Sequence, residues 1–202
     1  MKNLLFISAF VLTSVSLAHT QDFSIGPTVG VNYAWLADAP GDTEGLIGFN
    51  AGVTMVYSDF VHWGLGLDVK YSAEGGVTKQ GGEIAQTHLN YVRVPLKIYH
   101  FFNELGDYLR PKIYIGPSFG YLIGGKTEQF LGVNTITFNS KDLYEPIDLG
   151  VLVGAGFNFS ISDRTWFNFD VAYAHGLTNI AKAGKDFNRN LNLNLGVAWG
   201  LN

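Results

Sequence analysis

Eight times between residue 23 and the last residues of the chain, a run of alternating apolar and small or polar side chains ends in a break of turn-forming residues. A period of two is the signature of a strand with two unlike faces. The runs cover about 23–36, 45–58, 62–74, 87–102, 110–124, 147–161, 166–178 and 190–201. The third is the clearest: Trp63, Leu65, Leu67, Val69 and Tyr71 face one way, and Gly64, Gly66, Asp68, Lys70, Ser72 and Glu74 the other. No stretch beyond the first twenty residues offers a helical apolar stripe, or the roughly 20 consecutive apolar residues of a membrane helix. Eight such runs separated by turns predict an all-β fold, an eight-stranded antiparallel up-and-down barrel.

Barrel size decides which face is outside. Eight strands enclose a space only just filled by side chains. The apolar face carries about six large residues per strand, roughly 48 in all, far too many for that space. The opposite face is mainly Gly, Ser, Thr, Ala and Asn, which suits a narrow lumen. The apolar face therefore meets lipid, and the barrel is transmembrane. Outward aromatics gather at the strand ends as two girdles. Tyr33, Trp35, Tyr71, Tyr121 and Tyr173 mark one rim; Tyr57, Trp63, Phe157, Phe159, Phe167 and Trp199 mark the other. Breaks after the second, fourth and sixth runs are short, whereas 37–44, 75–86, 126–145 and 179–189 are longer. Outer-membrane barrels have short periplasmic turns and longer extracellular loops, so both termini are expected in the periplasm.

Residues 1–20 read as a secretory signal: Lys2, a short apolar core from Leu4 to Leu17, then Ala18-His19-Thr20, with cleavage after Thr20 or Ala18. The barrel domain is then 21–202. The chain has no cysteine, which excludes thiolate metal sites, cysteine catalysis and disulfides. Its net charge of −4 and lack of a basic run argue against nucleic acid as a partner.

Four stretches resemble a known family. They are Tyr91-Val92-Arg93-Val94-Pro95-Leu96-Lys97, Gly116-Pro117-Ser118-Phe119-Gly120-Tyr121-Leu122, Asp148-Leu149-Gly150-Val151-Leu152-Val153-Gly154-Ala155-Gly156 and Tyr173-Ala174-His175-Gly176-Leu177-Thr178-Asn179-Ile180. The chain is similar to the outer-membrane β-barrel proteins labelled porin-family or PorT-like. That resemblance implies a Gram-negative outer membrane as location and outer-membrane lipid as surroundings. It implies no single activity. Gly196, Trp199 and Leu201 also resemble the terminal signal read by the barrel-assembly machinery, although Asn202 follows where an aromatic is usual.

The inward-facing charges are Asp68, Lys70, Glu74, Arg93, Lys97, Lys112, Asp148 and Asp170. A buried charge is costly unless paired, so four acids and four bases suggest a salt-bridged core rather than an ion path or catalytic carboxylates. Pro27, Pro95 and Pro117 lie inside strands, where proline removes a ladder bond; bulges are expected there, with a weakened seam admitting a lipid chain as the alternative. His62, His88, His100 and His175 are scattered without metal-ligand spacing, and no serine can be named for a triad. The sequence therefore suggests no enzyme, cofactor or metal. It suggests a structural, scaffold or interaction role with a closed lumen. The alternatives are a narrow pore for small solutes and a lipid-modifying enzyme. The 126–145 loop, with Phe130, Leu131, Ile136 and Phe138, is the expected contact surface for another envelope protein.

Overall fold

The structure is a computed structural model that describes residues 23–58, 62–104, 106–132 and 134–201; the expected secretory signal lies outside the described residues. The strands are β1 (Phe23–Ala37), β2 (Asp42–Tyr57), β3 (Trp63–Gln80), β4 (Glu83–Phe101), β5 (Leu109–Leu131), β6 (Asn134–Asn139), β7 (Ile147–Ser162), β8 (Thr165–Gly176) and β9 (Phe187–Gly200). All pairings are antiparallel. β1 to β5 and β7 to β9 form a ring, closed by β1 against β9 and by β4 against β5. β6 stands outside it, paired with β5 alone.

Strand alternation assigns the faces as expected. Along β9 the even positions from Asn188 to Ala198 are buried, while Leu191, Leu193 and Leu195 are exposed. Along β7 Asp148, Gly150 and Leu152 point in, and Ile147, Leu149, Val151 and Val153 point out. A sheet of this size with its apolar side chains outward is unfavourable in water and favourable in hydrocarbon. The outward aromatics meet at the rims. At one end Trp35 lies 5.8 Å from Tyr33 and 6.2 Å from Tyr173, centroid to centroid. At the other, Phe159 lies 6.2 Å from Phe157 and 6.4 Å from Phe167.

Strand length departs from the expectation. β3 runs on to Gln80, β4 begins at Glu83 and β5 continues to Leu131, so 75–86 and much of 126–145 are hairpin rather than loop. The turn between β3 and β4 is Gly81-Gly82, both at positive φ. A single helical turn, Ser140–Leu143, follows β6. The ladder continues while the apolar alternation stops. Beyond the lipid, backbone hydrogen bonds still form, but outward side chains such as Lys79, Gln86 and Glu128 need not be apolar.

The prolines also depart from it. No bulge occurs at Pro27, Pro95 or Pro117. At each, the ladder skips two pairs and resumes in the same register. Between β1 and β9 it passes from Ile25↔Trp199 to Thr28↔Gly196, between β3 and β4 from Leu67↔Leu96 to Lys70↔Arg93, and between β4 and β5 from Pro95↔Ser118 to Ile98↔Ile115. A missing N–H removes a rung without requiring an extra residue. The register shifts lie elsewhere, between Gly45 and Asn50 of β2, between Asn90 and Tyr91 of β4, and between Ser160 and Ser162 of β7. Opposite the first, Gly75 has φ +128°, and a Cβ there would sit 2.0 Å from the Thr87 carbonyl oxygen. Gly75→Val should destabilise the barrel by more than the ~1–3 kcal/mol of backbone strain alone, read as a lower urea midpoint in detergent micelles; an unchanged midpoint would contradict this account of the bend.

Candidate functional site: the barrel interior and its cap

Strand parity turns all eight of the charges named from the sequence inward. Asp68, Lys70, Glu74, Arg93, Lys97, Lys112 and Asp148 are buried, and Asp170 is nearly so. They fall into two groups. In the first, Arg93 donates from Nε to Glu74 Oε1 (2.9 Å) and from Nη2 to Glu74 Oε2 (2.6 Å). The same Nη2 reaches Asp148 Oδ2 at 2.5 Å. Asn188 Nδ2 donates to Glu74 Oε2 and to Asp148 Oδ2. The Tyr91 ring lies 4.6 Å beneath the guanidinium. A planar donor fork suits this bridge between two carboxylates, where an ammonium would not.

The second group lies nearer the short-turn end. Lys97 pairs with Asp68 at 2.6 Å, and Thr54 Oγ1 donates to the other oxygen of Asp68 at 2.8 Å. Lys112 pairs with Asp170 at 3.0 Å. Lys97 also faces the rings of Tyr99 (5.8 Å) and Tyr114 (5.3 Å), and Lys112 faces that of Tyr99 (5.2 Å). Lys70 stands between the groups, opposite Arg93 across the ladder, and no carboxylate of a described residue lies within 4.0 Å of it. Its charge nevertheless has a place. The first group holds two acids to one base and the second is balanced, so Lys70 brings these eight charges to neutrality.

Apolar side chains fill the rest, a point on which the expectation of a mainly small and polar lumen was incomplete. Tyr99, Phe101, Tyr114, Leu152 and Ala172 form one cluster, with Arg110 over the Phe101 ring at 4.0 Å. Leu36, Leu89, Tyr91, Leu122, Tyr144, Ile180 and Ala181 form another at the long-hairpin end. The last three come from connecting segments that fold into the barrel mouth. Tyr144 bridges Ala181, the Glu145 amide donates to Ile180 (2.7 Å), and the Lys182 amide donates to Leu143 (3.0 Å). Ser140 Oγ donates to the His88 carbonyl at 2.9 Å, which ties the helical turn to the wall. Asn179 accepts from the amides of Ala181 and Asp186 and holds the second segment in shape. Ile180 is fully buried as a result.

Two small cavities lie beside the interior charges. A cavity of about 20 Å³ lies among Asp68, Lys97, Lys112 and Asp170, and one of about 10 Å³ among Arg93, Asp148 and Asn188. Each has room for about one water. A groove of about 580 Å³ lies where β2 and β3 lose register, lined by Ile47, Phe49, Tyr71, Glu74, His88 and Lys126. Asn32 closes the wall from inside there, donating to Ser72 Oγ (2.9 Å) and the Ala73 carbonyl (3.0 Å). Among the described residues no group of three His, Asp or Glu side chains could hold a metal ion.

Residues 18–182 match the family model for the outer membrane protein beta-barrel domain. The chain belongs to that family. The fold is also that of solved outer-membrane barrels. Neisserial surface protein A (NspA) aligns over 89% of this chain and 97% of its own, at 12% identity and a TM-score of 0.53. The outer membrane protein OprG from Pseudomonas aeruginosa aligns over 89% and 95%, at 13% identity and a TM-score of 0.54. A search of curated protein sequences gave no match. This outer-membrane barrel is therefore surrounded by lipid along its apolar wall.

Sequence reasoning missed Asn188, Thr54, Arg110 and the capping residues. Asn188 was within reach, since extending the eighth alternation by one pair includes it. Tyr144 and Ile180 lie in segments without periodicity, so nothing local announced their burial.

Two predictions follow from this packing. Arg93→Met leaves Glu74 and Asp148 buried without the cation bonded to both and should cost about 3–5 kcal/mol. Adding Glu74→Gln and Asp148→Asn to that variant should restore most of the loss in urea titrations; no recovery would contradict the pairing. In the cap, burial pushes the Asp186 carboxyl up to about 6 against the opposing effect of its hydrogen bond with Tyr144. A raised folded-state pKa favours the protonated form, so its stabilisation is complete below about pH 4 and is lost as pH rises through 6. Hydrogen-exchange protection of 177–186, corrected for intrinsic rates, should fall between pH 5 and 7.5, and Asp186→Asn should abolish that fall.

Proposed function

We propose that this protein is a non-enzymatic outer-membrane barrel with a closed interior, acting as a structural, scaffold or interaction element through its long-hairpin end. The observation that carries this reading is the filled lumen. Its eight inward charges are paired or balanced, its mouth is covered by Tyr144 and Ile180, and the cavities beside the charges have room for about one water each. Paired carboxylates held by Arg93 and by two lysines are poorly placed to exchange protons with a substrate. An anchored barrel with no through-path offers its surroundings mainly its exposed ends.

The long hairpins face the cell exterior in this reading, and the short turns and both termini face the periplasm. Export by the 1–20 signal and insertion by the barrel-assembly machinery through the Gly196, Trp199 and Leu201 pattern fit the same orientation. The two aromatic girdles serve as anchors at the two interfaces. The 126–145 segment is the contact surface for another envelope protein.

Planar-bilayer recording tests the closed interior. The purified protein should give no stable single-channel steps, and large, regular steps would overturn the reading in favour of a pore.

A further inference from the structure

β6 is a strand that the barrel does not need. It pairs with β5 from Lys126↔Asn139 to Leu131↔Asn134 without a register shift, and its other side is the edge of the sheet. In an antiparallel ladder every second residue turns its N–H and C=O away from the partner, leaving about three donors and three acceptors on that edge. Among the described residues, no hydrogen bond from outside β5 reaches the backbone of β6. All six of its residues are exposed.

Edge strands are normally blunted by charged residues, proline, a bulge or a cover. β6 has none of these. Its sequence is Asn-Thr-Ile-Thr-Phe-Asn, with four residues of high strand propensity and no charge, proline or glycine. Ile136 and Phe138 share one face, and Thr135 and Thr137 the other. The rest of the projecting sheet is treated differently. β3 and β4 carry Lys79 and Glu83, and β5 carries Lys126 and Glu128. Charge is absent where the backbone is open and present where it is already paired. The girdle aromatic of β5 at this rim, Tyr121, lies five to ten residues before the 126–131 segment that pairs with β6, so the edge stands roughly 15–35 Å along the strand from that girdle.

We propose that β6 is a docking edge for an extended, uncharged polypeptide segment of another protein. The segment adds as a further strand and sets apolar side chains at alternate positions beside Ile136 and Phe138. This rests on the interaction role proposed above and gives it a binding mode, strand addition. A second copy in the same membrane fits this edge badly. Antiparallel pairing of two β6 strands relates the copies by a two-fold axis across the sheet, which would turn one barrel upside down.

The test uses the full-length protein refolded in detergent micelles. The probe is a fluorescein-labelled synthetic peptide repeating the 134–139 sequence, with a proline-interrupted version as control. Saturable binding of the first peptide alone is expected, weakened about ten-fold or more by Thr137→Pro, which interrupts the edge, and by Ile136→Lys, which charges it. Both variants should keep the heat-dependent gel shift of a folded barrel, because β6 lies outside the ring. Absence of saturable binding, equal binding to both variants, or a β6-to-β6 cross-linked dimer that the peptide displaces would overturn the proposal. Channel steps in bilayers would instead strike the closed-interior reading and leave peptide binding untouched.

Discussion

In hydrocarbon, a backbone N–H or C=O has no water to bond, so every strand that crosses must find its partners within the protein. For a sheet this leaves one solution, closure. The meeting of β1 with β9 is therefore the constraint on which the rest depends. Closing with eight strands fixes a lumen about as wide as the side chains that fill it. From that width follow the glycines along the inner faces, the pairing of the interior charges, and the outward position of the large apolar residues. The prolines fit the same rule: each gives up local bonds without a change of register, and the ring stays closed.

Within the lumen, packing and electrostatics divide the length between them. Tyr99, Phe101 and Tyr114 fill the short-turn half, with the two tyrosines against Lys97 and Lys112 and Phe101 beneath Arg110. The Arg93 bridge occupies the other half, beneath the apolar cap formed with Tyr144 and Ile180. Each buried charge is thus shielded from water on either side and must find its counter-charge inside. Such pairing adds little net stability compared with an apolar core, but removal of one partner is severe. Its effect is to hold the strands in one arrangement through contacts between β3, β4, β7 and β9.

The fold was legible because lipid and lumen impose opposite demands on neighbouring residues, so a period of two runs through every membrane-crossing segment. The same reason placed Asp68, Lys70, Glu74, Arg93, Lys97, Lys112, Asp148 and Asp170 on the inner face. Legibility ended where the lipid ends. β3 and β4 continue through Thr78, Lys79, Gln86 and Thr87 with no apolar period, because only the backbone ladder constrains them there. β6 alternates over only four residues, Thr135 to Phe138, too short a run to stand apart from the loop around it. Tyr144 and Ile180 could not be assigned to the core because their burial comes from contacts across the mouth. The expectation of bulges at the prolines failed because it equated a lost hydrogen bond with a lost register.

Spin labels at successive single-cysteine positions along β9 test the central claim most directly, since the chain has no native cysteine. In lipid vesicles, oxygen accessibility should peak at Leu191, Leu193, Leu195 and Val197. At Asn190, Asn192, Asn194 and Gly196 the label should be shielded from both oxygen and a water-soluble nickel complex. High nickel accessibility at those inner positions would mean a water-filled lumen, and oxygen peaks there would mean that the barrel is inside out; either result would contradict the account.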